Sequence, residues 1–223
     1  MSIRLRVMEE RKRDEEDTLP RERYFSEGYF DRAQLISLSE QIALVHETAA
    51  NRVLEIGLGN GFVSAFLKRA GVDVTTMDVN PNLNPDIVDS VERLGGLFNP
   101  VSFDCVLCCE VLEHLSFDAF ESSIDQIAST TARHAILSFP TAKRQLLKLG
   151  ITFRFHSFRE RFLGIRLRRR LKKLYPAHHW EIDFAERYSQ GAILEILRKR
   201  FTKVSVKRLD PIPYQTFFIC EKA

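Results

Sequence analysis

The stretch "VLEIGLGNGF", residues 53–62, decides the fold. An apolar run leads into three glycines, Gly57, Gly59 and Gly61, at alternate positions, and Glu55 sits two residues before the first. A glycine-rich turn between a strand and a helix lets the backbone approach a ligand that side chains would otherwise keep away. In open α/β sheets such turns lie at the carboxyl ends of the strands, where ligands bind. A phosphate-cradling P-loop is excluded, because no Gly-Lys-Ser/Thr follows. A dinucleotide fingerprint needs G-x-G-x-x-G, whereas here the spacing is G-x-G-x-G and Phe62 stands where the third glycine belongs. Glu55 also opposes pyrophosphate, while a carboxylate there suits a cationic ligand such as an ammonium or sulfonium. Asp78, ending the next apolar run in "TTMDVNP", can accept hydrogen bonds from both hydroxyls of a ribose.

Working outward, the pattern alternates. An amphipathic helix is expected over about 31–48, with Leu35, Leu38, Ile42 and Val45 on one face. "RVLEI" reads as a strand, "GFVSAFLKRAG" as a helix ended by Gly71, and "VDVTTMDV" as a second strand. A Pro/Asn-rich loop leaves room for one short strand before "SFDCVLCCEV", apolar almost throughout as the buried centre of a parallel sheet should be. A helix at about 117–129 and the strand "HAILSFP" follow; Ser189 is placed to cap a helix in "SQGAILEILRKRF". The last two β-rich runs, around a proline-containing turn, form a hairpin, so the final strand runs antiparallel to its neighbour. The class is α/β.

The 223 residues suit one domain with elaborations, and the hydrophobic content of 44% supports a substantial core. The opening residues lack the apolar centre of a signal peptide, and no apolar run approaches the roughly 20 residues of a membrane helix. A cytoplasmic protein is expected, membrane-peripheral if its basic segment lies on lipid. Cys105 and Cys108 have C-x-x-C spacing, but on a strand they point to opposite faces, so no metal is assigned and reduced, buried thiols are expected.

The sequence resembles the class I S-adenosylmethionine-dependent methyltransferases, in particular the broad "type 11" group. The residues that carry the likeness are "VLEIGLGNG", "MDVNP" and "FDCVLCCEVLEHL", in matching order over about residues 50–140. The resemblance implies a three-layer Rossmann-like fold with a mostly parallel seven-stranded sheet, order 3-2-1-4-5-7-6, the last strand antiparallel. It implies S-adenosyl-L-methionine as cofactor and S-adenosyl-L-homocysteine as product. Gly57, Gly59, Asn60 and Gly61 would line the methionine part with Glu55 nearby. Asp78 would hold the ribose and Val79 flank the adenine. Asp89 would meet the adenine amine, although Ser90 holds the position where the acid is expected. Cys109, Glu110 and Val111 would cover the methionine end.

Methyl transfer from a sulfonium needs alignment and exclusion of water, and a base only where the acceptor must lose a proton. Candidates for that base are His114, in "EVLEHL", and the pair His179 and Glu181 in "AHHWEID". Each has a plainer reading, His114 in orienting the next helix and the histidines as solvated groups. Trp180 is a candidate for acceptor binding or for packing. A metal held by His178, His179 and Asp183 is disfavoured, since adjacent histidines rarely converge on one ion.

Net charge is +3, yet residues 143–173 hold twelve Lys and Arg against Glu160 alone, so that segment carries +11 and the remainder −8. This leads to a division into a charged N-terminal segment with an aromatic lid (residues 1–30) and one methyltransferase domain (31–223). Within that domain a basic recognition insertion occupies about 141–180. Through Arg168, Arg169 and their neighbours the segment suits a phosphorylated, glycan or lipid-linked small-molecule acceptor, an anionic membrane surface, or RNA. A solvated helical cap on the acidic body is the structural alternative. Two rival functions remain open: an RNA methyltransferase using 143–173, and a non-catalytic S-adenosylmethionine-binding partner protein. Tyr24, Phe25 and Tyr29 are the residues expected to close over the cofactor.

Overall fold

The computed structural model describes residues 17–27, 29–154, 160–170, 172–209, 212 and 214–222. After a single 3-10 turn (Arg21–Phe25) the chain forms α1 (Arg32–Glu47), β1 (Arg52–Ile56), α2 (Phe62–Arg69), β2 (Asp73–Asp78), β3 (Ile87–Val88) and the short α3 (Leu94–Leu97). It continues through β4 (Phe103–Cys109), α4 (Phe117–Thr130), β5 (Thr131–Pro140), β6 (Lys143–Arg154), β7 (Glu160–Arg170), α5 (Gln190–Arg198), β8 (Lys203–Arg208) and β9 (Gln215–Glu221). The main sheet has seven strands in the order β3-β2-β1-β4-β5-β9-β8. β1 to β5 are parallel, and β9 lies antiparallel between β5 and β8. Counting only the strands of this sheet, the order is the expected 3-2-1-4-5-7-6.

Local chemistry fixes the element ends. Asp31 caps α1 by accepting from Gln34 N at 2.8 Å, and Ser189 caps α5 by accepting from Ala192 N at 3.2 Å. Gly71, in the left-handed region with φ 91°, ends the α2 segment. β3 is only two residues long, and side chains hold that edge in place. Asp86 Oδ2 accepts from the Thr76 backbone N–H and the Thr76 hydroxyl, both at 2.8 Å. Near the amino end of β4, Asp104 Oδ2 accepts from Asn51 N and Arg52 N at 3.0 and 2.9 Å, which sets where β1 starts against β4.

Two apolar layers flank the sheet. One packs α1 and α2 over Val53, Val74, Cys105, Leu107 and Phe217; the other packs α4 and α5 over Leu54, Met77, Val106, Cys108 and Phe218. Cys105 and Cys108 therefore fall in opposite layers, as the period of a strand requires. Burial pushes the Cys105 thiol up to about 12 and raises Cys108 as well. Among the described residues no helix is long and apolar enough to cross a membrane.

The basic segment is extended, which the helical-cap alternative does not anticipate. β6 and β7 form a separate antiparallel ribbon, with Lys143 opposite Arg170, Leu147 opposite Leu167 and Arg154 opposite Glu160. Lys143 Nζ reaches Asp183 Oδ2 at 3.0 Å, and Arg170 donates to the Phe184 carbonyl, tying the ribbon's base to the loop that follows it. Residues 1–16 of the N-terminal segment, and Phe155, Phe158, Arg159 and Leu171 of the insertion, lie outside the described residues.

Trp180 corrects one expectation. Its side chain is fully buried, packed on Phe117, Phe120 and Phe139, and its Nε1–H donates to the Leu112 carbonyl at 3.2 Å. It serves the core and does not face an acceptor. Trp180→Ala should lower unfolding free energy by about 3–5 kcal/mol in denaturant titrations, the usual cost of emptying a large buried aromatic site.

Candidate active site

The turn after β1 is built from backbone. Gly57, Gly59 and Gly61 have φ of 86°, 53° and 73°, in the left-handed region that other residues adopt at a cost. They serve different ends. A Cβ on Gly57 would lie 2.4 Å from Val111 Cγ2, so that position is closed by packing. A Cβ on Gly59 would meet nothing within 4 Å among the described residues, and the turn there borders the cleft. Gly61 is the N-cap of α2. Asn60 completes the turn, its Oδ1 accepting from Phe62 N at 3.0 Å.

Asp78, at the end of β2, grips this turn: its Oδ2 accepts from Leu58 N at 2.7 Å and its Oδ1 from Asn80 N at 2.9 Å. Burial raises its pKa, and the backbone donors of Asn80, Leu58, Gly59 and Val79 pull it back. Both oxygens retain lone pairs toward the cleft that Asp78 and Val79 line. Glu55 is only 4% exposed, and burial pushes its carboxyl up to about 8 against the opposing Ser64 hydrogen bonds and the Lys68 charge. Among the described residues its buried Oε2 has no hydrogen-bond partner, and the residue lines the cleft. An unsatisfied carboxylate oxygen, an open space over Gly59 and an acid at the end of β2 fit a cationic adenosine derivative.

The cleft has a volume of about 440 Å³ and runs from the glycine turn past the end of β4. Cys109, Glu110 and Val111 line its wall there. Glu110 has a φ of 55°, an uncommon value for a non-glycine residue. Its N–H donates to the Ser138 carbonyl at 3.0 Å, and its carboxylate accepts from Ser138 Oγ at 3.1 Å. Gln215 Nε2 on β9 donates to the same hydroxyl at 3.0 Å. Asp89 borders the cleft with Ser90, but its Oδ1 already accepts from Ser90 N at 2.6 Å and Arg93 Nε at 2.5 Å. One oxygen of the expected adenine ligand is thus committed within the loop.

His114, His178, Tyr175 and Tyr214 also line the cleft, as do Tyr24 and Tyr29 from the N-terminal segment. The His114 and His178 rings meet edge to face, centroids 5.2 Å apart. His178 Nδ1 lies 3.1 Å from Glu181 Oε1, a fully buried carboxylate. Of the two adjacent histidines the structure therefore brings His178 to the cleft. The backbone N–H of His179 donates to the Glu113 carbonyl at 2.8 Å, an anchoring role. Glu181 stands behind His178. Arg168 and Arg169 lie on β7, opposite Gln145 and Arg144, and the Arg169 side chain is exposed to solvent on the ribbon. Sequence reasoning missed the burial of Glu113 and the cleft position of Tyr175; the "EH" and "HH" pairs were the available signals, and tertiary pairing decides which member faces inward.

The N-terminal segment is strapped across the β2 end. Asn80 Nδ2 donates to the Leu19 carbonyl at 2.8 Å, and Asn82 Nδ2 to the Thr18 carbonyl at 3.3 Å. Tyr24 and Tyr29 meet edge to face at 5.4 Å, with the Arg23 guanidinium 5.0 Å over the Tyr29 ring.

A sheet of this order with a bare turn after β1 and an acid at the end of β2 defines a Rossmann-like methyltransferase. Residues 23–187 match a family model described as "Methyltransferase domain". The chain belongs to this family, within the class I S-adenosylmethionine-dependent methyltransferases. Among curated proteins it is 37% identical over 90 residues to a ubiquinone biosynthesis O-methyltransferase of Xanthomonas euvesicatoria, covering 34% of this chain and 37% of the relative. It is 32% identical over 81 residues to the mitochondrial enzyme of that name from Schizosaccharomyces pombe, covering 30% of each. The matches thus span about a third of those relatives' own length. In architecture it resembles magnesium protoporphyrin IX methyltransferase from Synechocystis, with a TM-score of 0.57, 16% identity and 97% of each chain covered. It also resembles a SAM-dependent methyltransferase from Archaeoglobus fulgidus, with a TM-score of 0.58, 14% identity and 85% and 94% covered.

Two outcomes follow from the turn and Glu55. Gly57→Ala forces a left-handed alanine against Val111 and should weaken S-adenosylmethionine binding at least tenfold by calorimetry, with partial recovery in Gly57→Ala/Val111→Ala. Glu55 is mostly protonated in the folded protein at pH 7, whereas its unfolded counterpart ionises near the ordinary 4.5. The stability of the ligand-free protein should therefore fall as pH rises from about 5 to about 8, because the folded state holds a proton that the unfolded state has lost. A cationic ligand favours the ionised form, so affinity should climb through the same upper range, and Glu55→Gln should flatten both profiles.

Proposed function

We propose that the protein methylates a hydroxyl or phenol oxygen of a small-molecule acceptor seated at the histidine end of the cleft. The observation that carries this reading is the continuity of one cleft from the glycine turn to His114 and His178. When bound, S-adenosylmethionine supplies an electrophilic methyl group, which leaves with its bonding electrons returning to sulfur while the acceptor oxygen provides the new pair. Glu55 and the turn hold the cationic end, Asp78 receives the ribose hydroxyls, and Val111 and Cys109 exclude water on the β4 side. Tyr24 and Tyr29 close the opening from the N-terminal strap, as a lid should. His178, oriented by Glu181, and His114 receive the acceptor's hydroxyl and draw off its proton. An oxygen nucleophile needs such assistance and a free amine does not. The partial relatedness to two O-methyltransferases supports the same choice.

His178→Ala should lower kcat by about 10²–10⁴-fold with a hydroxylated acceptor while leaving the cofactor Kd within about twofold. S-adenosylhomocysteine release across a panel of phenols, alcohols and amines reads this directly. Turnover of amines alone, or unchanged turnover in the variant, defeats the assignment.

The ribbon favours a lipid surface over RNA as the setting in which the acceptor is met. Leu147, Leu149 and Leu167 are exposed on it at 42%, 61% and 52%, beside exposed Arg169 and Arg170. Apolar groups framed by cations suit the boundary of an anionic bilayer. The protein should pellet with anionic vesicles and much less with neutral ones, and Leu149→Ser/Leu167→Ser should reduce that binding several-fold. RNA binding with a steep salt dependence and no response to the leucine changes would favour the polynucleotide reading.

A further inference from the structure

The histidine end holds more than a proton acceptor requires. Glu113, His114 and His178 each present one carboxylate oxygen or ring nitrogen, and these three atoms lie within 4.8 Å of one another. Glu113 is fully buried, and both histidines border the cleft. From these residues we infer that the protein binds a divalent transition-metal cation here, with Glu113, His114 and His178 as its protein ligands, and that the acceptor's hydroxyl oxygen completes the coordination from the cleft. This inference rests on the acceptor placement proposed above and changes the histidines' part in it: as ligands they act on the hydroxyl through the ion and do not themselves take its proton.

Three features support it. The ligands are held in position by neighbouring backbone. Glu113 and His114 follow β4, whereas His178 lies beyond the ribbon, and the two stretches are joined where His179 N donates to the Glu113 carbonyl at 2.8 Å and Trp180 Nε1 to the Leu112 carbonyl at 3.2 Å. Second, Glu181 Oε1 lies 3.1 Å from His178 Nδ1. In the tautomer that carries its proton on Nδ1, Nε2 keeps its lone pair, and metal-binding imidazoles almost always have such a carboxylate behind them. Third, Glu113 is fully buried and supplies one of the three clustered donor atoms, so the site is shielded from bulk solvent.

The donor set selects the ion. Two imidazoles and one carboxylate suit borderline first-row cations such as Zn²⁺, Mn²⁺ or Fe²⁺ and leave positions open for oxygen ligands. Ligand bonds of about 2.0–2.2 Å place two donors of a tetrahedral ion roughly 3.4 Å apart, so side chains whose donor atoms lie within 4.8 Å of one another draw together as the ion binds. Coordination lowers the pKa of a bound hydroxyl, and its proton passes to solvent without change in the ion's oxidation state.

The test uses the full chain, free of affinity tags, stripped with chelator and titrated with Co²⁺ as a coloured probe. One equivalent should bind with visible absorption, and Zn²⁺ should displace it. His178→Ala and Glu113→Gln should each weaken binding at least tenfold with S-adenosylmethionine affinity intact, and His46→Ala, on the exposed face of α1, should change nothing. If Glu113→Gln fails to fold, His178→Ala alone decides. No Co²⁺ or Zn²⁺ binding by the stripped protein, or unchanged binding in His178→Ala, overturns the inference. Full S-adenosylhomocysteine release by the stripped protein also overturns it while leaving the acceptor placement standing. Cobalt bound at this site, with acceptor turnover indifferent to both histidines, removes the acceptor placement and keeps the ion.

Discussion

The contact on which the rest depends is the one between the Asp78 carboxylate and the backbone N–H groups of Leu58 and Asn80. The turn after β1 carries three residues at positive φ within five positions, a conformation that a free chain visits only at an entropic cost. Gly57 N donates to the Met77 carbonyl at 2.9 Å and the Asp78 oxygen holds the next N–H, so β2 fixes the turn from the side. Hydrogen bonds to a charged acceptor contribute on the order of 1.5–3 kcal/mol each, enough to stabilise one turn geometry over its competitors. The same carboxylate is also the acid proposed to meet the ribose. Its structural and binding duties cannot be separated by simple deletion, and the milder change to Asn is the more informative probe.

The two ends of the cleft have different physical origins. The cofactor end is made by strands β1, β2 and β4 and stands at the place where the sheet order reverses, the standard crevice of open α/β sheets. The histidine end is assembled from the turn after β4 and the loop after the ribbon, stitched by a few backbone bonds and anchored by Trp180. An inserted segment can change there without disturbing the sheet. Lys143–Asp183 and Arg170–Phe184 tie the ribbon's base to that same loop.

The frame was readable because its signals are local. Strand periodicity separated Cys105 from Cys108, Ser189 announced a helix start, and the glycine spacing with Asp78 marked the cleft. The histidine end was less readable. Whether His178 or His179 faces inward depends on which residue's backbone pairs with Glu113, a partner 66 positions away in sequence. Trp180 offered an aromatic beside histidine and carboxylate, but the aromatic cluster around Phe120 and Phe139 claimed it. The basic segment hid its ribbon because charge masked the alternation; Leu147 meets Leu167 and Leu149 meets Ile165 only once the two strands are in register.

β9 is the latest strand in chain order among the described residues, yet it lies inside the sheet, between β5 and β8. During synthesis β5 must wait with an unpaired edge through some 75 residues of chain, including the ribbon and α5. An exposed apolar edge of that kind invites pairing with another nascent chain. The cationic ribbon emerges from the ribosome during this interval, next to the open edge, and its like charge on every copy would keep neighbouring chains apart until Gln215–Glu221 arrive to close the gap.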